Sequence, residues 1–294
     1  MNKERVHTPV LLEETIDYLN LGDGIGKTVI DATLDGGGHA TALRERLPNL
    51  KILGIELDPV MVNELELDPS IVVTNDSYAN IKAVAEKYNL KPDGVYFDLG
   101  VSSWHYESSS RGFTFQKDQP LDMRFNPEKQ KITAQTIINT YTKNEIEEIL
   151  VKYGEEQFAS EIADSINKTR KERPIITTTQ LVEAISVAVP NWYKHRKINF
   201  ATKTFQALRI EVNDEMGTIS KGIEGAIDIL VPGGRLVVIS FQGLEDKTVK
   251  EIFKQKAKEG IIKFVTKDTI KPKWSEVTKN PRARSAKMKI VEKL

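Results

Sequence analysis

Cysteine is absent from the 294 residues, and so is any excess of charge, with 42 Lys and Arg set against 42 Asp and Glu. The first absence excludes disulfides and thiolate metal sites. The second means that global charge names no partner. Long apolar runs are missing as well; none approaches the roughly 20 residues that span a bilayer. The first residues carry Lys3, Glu4 and Arg5 but no apolar core of the kind a secretory signal needs. Secretion and membrane insertion are therefore not expected, and the cytoplasm is the expected compartment. What remains is a chain of ordinary composition, long enough to bury a sizeable core in one large domain or two smaller ones.

The charge that is present is unevenly spread. Lys263–Leu294 holds ten Lys and Arg against three Asp and Glu, and Lys194–Arg209 holds five with no acid. Such stretches are suited to phosphates, although a solvated surface accounts for either one alone.

Along the chain, Thr8 and Pro9 read as the N-cap and first residue of a helix that buries Leu11, Leu12, Ile16 and Leu19. A βα rhythm follows. Thr28–Leu34, Ile52–Leu57, Ile71–Thr74 and Val95–Leu99 are apolar runs. Between them lie the helical spacings of Ala40, Leu43 and Leu47, and of Ile81, Val84, Ala85 and Tyr88. Apolar runs alternating with helices predict a parallel sheet covered on both faces. The rhythm stops after Gly100. Residues 105–130 are polar and irregular, and helical periodicity follows through Ile146, Ile149, Leu150 and Tyr153, a helix that Gly154 is expected to end. Phe158, Ile162 and Ile166 continue it, and Thr177 with Gln180 fits a capping box. The α/β pattern returns with Ile219, Ile223, Ile227 and Leu230, the buried strand Arg235–Phe241, the helix Glu245–Lys258 and a loosely alternating edge strand in Ser285–Leu294.

Three constellations sit at the ends of the predicted strands. The first, Asp31-Ala32-Thr33-Leu34-Asp35-Gly36-Gly37-Gly38-His39, joins the first strand to a helix, and its glycines allow a sharp turn and close approach of a ligand. The second is Glu56, 20 positions after Gly36, the spacing at which an acid accepts hydrogen bonds from a ribose. Asp58 is its rival. Alternation points both the same way, but Glu56 is nearer the strand end, and a cap before Pro59 suits Asp58 better. The phosphate-gripping hexad G-x-G-x-x-G is missing, so a nicotinamide dinucleotide fits poorly. S-adenosylmethionine, with a ribose and adenine but no phosphate, fits better, though spacing alone does not settle it. The third is Asp98 in Asp98-Leu99-Gly100-Val101-Ser102-Ser103, placed to reach the crevice where a transferred methyl would lie.

Two more lie in the helical part. Arg111-Gly112-Phe113-Thr114-Phe115 and Pro120-Leu121-Asp122-Met123-Arg124-Phe125 mix cations with aromatics that can stack on bases, although as a lone pattern core packing is the better account of Phe113 and Phe115. Arg209 and Asn213 are four apart and share a helix face.

Together these segments resemble the bacterial 16S ribosomal RNA cytosine-N4 methyltransferases, from His7-Thr8-Pro9-Val10-Leu11-Leu12 to Asn280-Pro281-Arg282-Ala283-Arg284-Ser285-Ala286-Lys287, nearly the whole chain. The most specific stretches are Asp98–Ser103, Arg111-Gly112-Phe113, Pro120–Arg124, Gly154-Glu155-Glu156, Thr204–Asn213, and Ser240-Phe241 with Leu244-Glu245-Asp246. The resemblance implies an α/β, Rossmann-like S-adenosylmethionine methyltransferase sheet with an inserted, mostly helical domain. It places the first part of the methyltransferase domain at 1–104, the inserted substrate-recognition domain at 105–215, and the second part, with the basic C-terminal stretch, at 216–294. Its cofactor contacts fall on Gly37, Gly38, His39, Glu56, Tyr78, Asp98 and His105. Asp98 is the expected catalytic acceptor of a hydrogen bond from the amine, and no metal is expected. Arg111, Phe113, Arg124, Arg209 and Asn213 are the expected contacts to RNA.

The implied reaction transfers a methyl group to the exocyclic N4 of a cytidine in the decoding centre, with 16S rRNA or the small ribosomal subunit as partner and a homodimer as one option for the assembly. This chain departs from the family pattern in several places. Glu56 stands where Asp is common and His105 where Gln is frequent. Asp35 replaces a small residue or glycine, Asn199-Phe200 a His-Pro pair, and Gln242-Gly243 a His-Ser pair. A methyltransferase of proteins or small molecules, and an RNA-binding assembly protein without turnover, are the competing readings. The basic stretches weigh against the first, and the intact turn with Glu56 and Asp98 against the second.

Overall fold

The structure, a computed structural model, describes residues 9–294. Thr8, the expected N-cap, lies outside them. The first helix, α1 (Leu12–Leu19), starts later than expected, after Leu11 in a left-handed conformation. Then come β1 (Thr28–Asp31), α2 (Gly38–Arg46), β2 (Lys51–Glu56), α3 (Pro59–Glu64), β3 (Ile71–Asn75), α4 (Ile81–Lys87) and β4 (Gly94–Asp98). Seven helices follow: α5 (Ser103–Glu107), α6 (Ala134–Thr140), α7 (Lys143–Gly154), α8 (Ala159–Glu172), α9 (Thr178–Ala188), α10 (Asn191–Lys194) and α11 (Thr202–Asn213). The chain closes with α12 (Glu215–Ile229), β5 (Arg235–Ser240), α13 (Gly243–Lys258), β6 (Ile262–Phe264), α14 (Trp274–Lys279) and β7 (Lys287–Lys293). It divides into two compact units, one of the residues up to Ser102 together with Met216–Leu294, the other Ser103–Glu215.

In the first unit the seven strands are ordered β3-β2-β1-β4-β5-β7-β6. β1 to β5 are parallel, and β7 runs antiparallel between β5 and β6. The short edge strand β6 had no signal in the sequence, and β7, expected at the edge, is internal. Its alternation is loose because its central residues, Met288 to Val291, are all buried. β1, β2 and β4 read as continuous apolar runs for the same reason, whereas the edge strand β3 is apolar although only Ile71 and Thr74 of it are buried. Val95 and Phe97 enter one core with α4, α12 and α13, and Tyr96 between them enters the other with α1 and α2. Strand order reverses between β1 and β4, which opens a crevice outside their carboxyl ends.

The second unit is helical. Capping boxes start α6, α7 and α9, the last with Thr177 and Gln180 as its spacing predicts. Gly154 does not stop α7 by turning left-handed; Glu155 does, at φ 46°. Gly154 is required for packing, because a Cβ there would lie 2.9 Å from the Lys203 carbonyl of α11.

Candidate cofactor and active site

The crevice is built from β1, β2 and β4. Asp31, the last residue of β1, is in register with Tyr96 on β4. Its carboxylate accepts from the Tyr96 hydroxyl and, at 3.1 Å, from the Thr33 N–H. The Thr33 hydroxyl accepts the Asp98 N–H at 2.7 Å. Burial pushes the Asp31 carboxyl up to about 7 and the Tyr96 hydroxyl well above its ordinary value. Asp31 and Tyr96 are thus the joint that ties the start of the glycine turn to β4, a role the sequence reading missed. Their side-chain types and register are the only signal, and the register is a tertiary fact.

The turn then crosses to β2. The Leu34 N–H donates to the Ile55 carbonyl at 3.0 Å, and the Asp35 N–H donates to Glu56 Oε2 at 2.9 Å. Asp35 has φ 47°. That is the left-handed region, where a short polar side chain is tolerated and glycine is the easier choice. The departure from glycine at this position is thereby accounted for. Gly37 has φ 70°, and a Cβ on it would fall 2.4 Å from Leu67. Gly38 opens α2.

Glu56 ends β2 with only 6 % of its surface exposed. Its Oε1 accepts the Asp58 N–H at 2.7 Å. Asp58 is the N-cap of α3, accepting the Val60 N–H at 3.0 Å ahead of Pro59. Burial, reinforced by the nearby negative charge of Asp35, pushes the Glu56 carboxyl up to about 8. A carboxylate offers about four lone-pair sites, and backbone N–H groups occupy two here. Capacity remains for a ribose diol.

Tyr78 opens a short 3₁₀ turn after β3, capped by Ser77. It sits edge-on to Phe97 of β4, with ring centroids 5.4 Å apart. Across from it Gly222 of α12 leaves no room for a Cβ, which would lie 2.6 Å from the Tyr78 ring. His39 and Asp98 meet at the mouth of the turn, His39 Nδ1 lying 3.8 Å from Asp98 Oδ2, both side chains about 95 % buried. Among the described residues no group of three or more His, Asp or Glu is placed to hold a metal ion.

The remaining expected site residues lie in the second unit. His105 is buried, with its ring edge-on to those of Phe113 and Phe125 at 5.0 Å. Phe113 is buried too and stacks on Phe125. Arg111 donates to the carbonyls of Arg124 and Phe125 and covers the faces of Trp104 and Phe113. Arg124 makes a two-pronged pair with Asp122, at 2.6 and 2.7 Å. Arg209 makes another with Glu215, at 2.6 and 2.9 Å. The Asn213 side chain accepts the Phe125 N–H and donates to the carbonyls of Met123 and Arg209. These side chains knit the irregular 111–130 segment to α11. The most exposed aromatics among the described residues are others, Trp192 at 60 % and Trp274 at 79 %, and the sequence reading singled out neither.

A crevice at the switch point of a doubly wound sheet, floored by a glycine turn and walled by a strand-end carboxylate, defines a protein that holds a ribose-bearing ligand. The chain belongs to the MraW methylase family, whose model matches residues 4–294. It is 40 % identical to the ribosomal RNA small subunit methyltransferase H of Carboxydothermus hydrogenoformans, over 98 % of both chains. Its identity to the protein of the same name from Halothermothrix orenii is 38 %, over the same shares. Among solved structures it is similar to a putative methyltransferase of Streptococcus mutans in complex with SAH, at a TM-score of 0.46 and 12 % identity, covering 98 % of this chain and 100 % of that one.

Proposed function

We propose that the protein transfers the methyl group of S-adenosylmethionine to the exocyclic N4 of a cytidine in the decoding centre of 16S rRNA. The observation that carries this reading is family membership along the whole chain together with a crevice whose residues suit the cofactor. Glu56 has hydrogen-bonding capacity left for the ribose. Gly37 and Gly38 let the backbone come close, and Tyr78 brings an aromatic face. His105 is kept as a cofactor contact on the resemblance alone. The cofactor supplies an electrophilic methyl on a sulfonium. The protein has to hold a weakly nucleophilic amine in line with it and accept a hydrogen bond from that amine, because the lone pair is delocalised into the ring. Asp98 is the group for that.

The base has to leave its stack to reach such a pocket. Arg111, Phe113, Arg124, Arg209 and Asn213 serve the RNA in this reading by shaping the 111–130 segment, since their polar atoms and rings are engaged internally. The cations that reach phosphates are then Lys267, Lys271, Lys279 and Arg284, which have no partner among the described residues. Among those residues no helix is long and apolar enough to cross a membrane, and the cytoplasm is the compartment we propose. Labelled S-adenosylmethionine offered with small ribosomal subunits or free rRNA, followed by nucleoside analysis, is the test. Label on cytosine N4 is expected, and label elsewhere rejects the reading.

A further inference from the structure

Trp192 is exposed, yet it is not a loose surface side chain. Its ring meets those of Phe158 and Tyr193 edge to face, with centroids 5.8 and 5.7 Å apart. Phe158 and Tyr193 meet each other in the same way at 4.9 Å. The three rings form one cluster in the helical unit, and neither neighbour lies flat on the indole. Tyr193 is its buried member, and its hydroxyl donates to both oxygens of the buried Glu156 carboxylate, at 2.9 and 2.7 Å. Glu156 also accepts the Phe158 N–H at 3.0 Å. One carboxylate therefore fixes both rings that hold Trp192.

The surroundings are cationic. Residues 190–203 include Lys194, Arg196, Lys197 and Lys203 and no Asp or Glu. Lys203 is engaged by the Glu155 carbonyl. Arg196 and Lys197 are exposed and Lys194 is half-buried, and none of these three is ion-paired among the described residues. The Arg196 guanidinium lies 4.9 Å from the centre of the Tyr193 ring. Lysine is depleted from surfaces that dock proteins. An aromatic ring with cations beside it is instead the arrangement that holds single-stranded nucleic acid, the ring stacking on a base and the cations meeting phosphates. In a duplex the base faces are already stacked on one another, so such a ring suits an unpaired base.

We propose that Trp192 is a stacking platform for an unpaired base of the RNA substrate, with Lys194, Arg196 and Lys197 on the flanking phosphates, an inference that rests on the rRNA reading above. The platform is set by packing before the RNA arrives, so little side-chain freedom is lost on binding. It is separate from the Trp274 segment, which belongs to the other compact unit.

The test follows binding of a fluorescein-labelled single-stranded oligoribonucleotide by anisotropy, with the same sequence annealed into a duplex as a second ligand. Trp192→Leu keeps apolar bulk and removes stacking. It is expected to weaken single-strand binding by about 5- to 100-fold and to leave duplex binding nearly unchanged. Trp192→Phe should retain most of the affinity. Replacing Lys194, Arg196 and Lys197 by Ala should flatten the salt dependence by about 0.7 per lost phosphate contact. Affinity for S-adenosylmethionine, measured by calorimetry, should not move in any of these variants. Single-strand binding untouched by Trp192→Leu, or an equal loss on the duplex, overturns the proposal. Weaker binding to assembled small subunits with none to free RNA gives the surface to a protein of the subunit and overturns it too. A second arm needs no variant. The wild type is crosslinked to a single strand carrying 4-thiouridine and the adducts are mapped by mass spectrometry. An adduct within residues 190–203 is expected, and adducts confined to other segments overturn the proposal. A wild type that binds RNA at Trp192 but leaves cytosine N4 unmethylated rejects the reaction and keeps the platform. An active wild type with unaltered variant binding overturns the platform alone.

Discussion

The backbone N–H of Asp35 ends on the carboxylate of Glu56 at 2.9 Å, 21 residues away. The acid at the end of β2 therefore braces the glycine turn before it meets any ligand, and with its other oxygen it takes the Asp58 N–H. Glu56→Ala should weaken S-adenosylmethionine binding by at least 10-fold and also lower stability by about 1–3 kcal/mol, the cost of leaving buried N–H groups unsatisfied. Calorimetry and urea unfolding measure the two effects. Unchanged affinity would remove Glu56 from the cofactor site, and unchanged stability would remove it from the turn.

Asp31 has a folded-state value of about 7, against about 3.9 in an unfolded chain. The fold binds its proton more tightly than the unfolded chain does. Its contribution is therefore fully present below about pH 4 and is lost as pH rises towards 7. Relative to Asp31→Asn, which cannot ionise, the wild type should lose of order 3 kcal/mol of stability across that window. Denaturant unfolding of both proteins at pH 5 and pH 8 checks this. A constant difference between them would mean that Asp31 is ionised throughout.

Arg209 and Glu215 form a pair with side chains 7 % and 8 % exposed. Removing one partner of such a pair strands a buried charge, at about 3–5 kcal/mol. Arg209→Met should lower stability by that order, and adding Glu215→Leu should restore much of it. Cofactor affinity should barely move. If Arg209→Met instead keeps its stability and loses RNA affinity, the side chain touches RNA directly.

Trp274 is 79 % exposed at the start of α14, in a segment that also carries Lys271, Lys273 and Lys279. Exposed aromatics among cations suit unpaired bases. Trp274→Ala should cost about 1–3 kcal/mol of RNA affinity. Replacing Lys271 and Lys279 by Ala should flatten the salt dependence by about 0.7–0.9 per lost phosphate contact. Filter binding across a salt series gives both, and RNA affinity untouched by all three changes would place the RNA elsewhere.

The sheet was legible in the sequence because a parallel strand buried on both faces has to be apolar at nearly every position. Thr28–Asp31, Ile52–Glu56 and Val95–Asp98 became strands on that signal, and the apolar Ile71–Thr74 became the half-exposed edge strand β3. β6 was not legible, since only Ile262 of its three residues is buried. Glu56 was legible from its spacing to the glycines, and the cap role of Asp58 from the proline after it. The position of Glu56 against Asp35 and the Asp31–Tyr96 joint were not, because each joins residues far apart in the chain.

By itself, then, the amino-acid order determined the central strands and the main helices, where the ligand turn lies and to which family the chain belongs. Those properties depend on local periodicity and on motifs read along the chain. Only the tertiary structure decided what the polar side chains do. Arg124, Arg209 and Asn213 look the same in sequence whether they face phosphates or carbonyls, and the fold gave each of them internal partners. The physical reason is the cost of burial. A polar group taken out of water needs a partner within about 3 Å, and which partner stands there is settled by packing between distant parts of the chain.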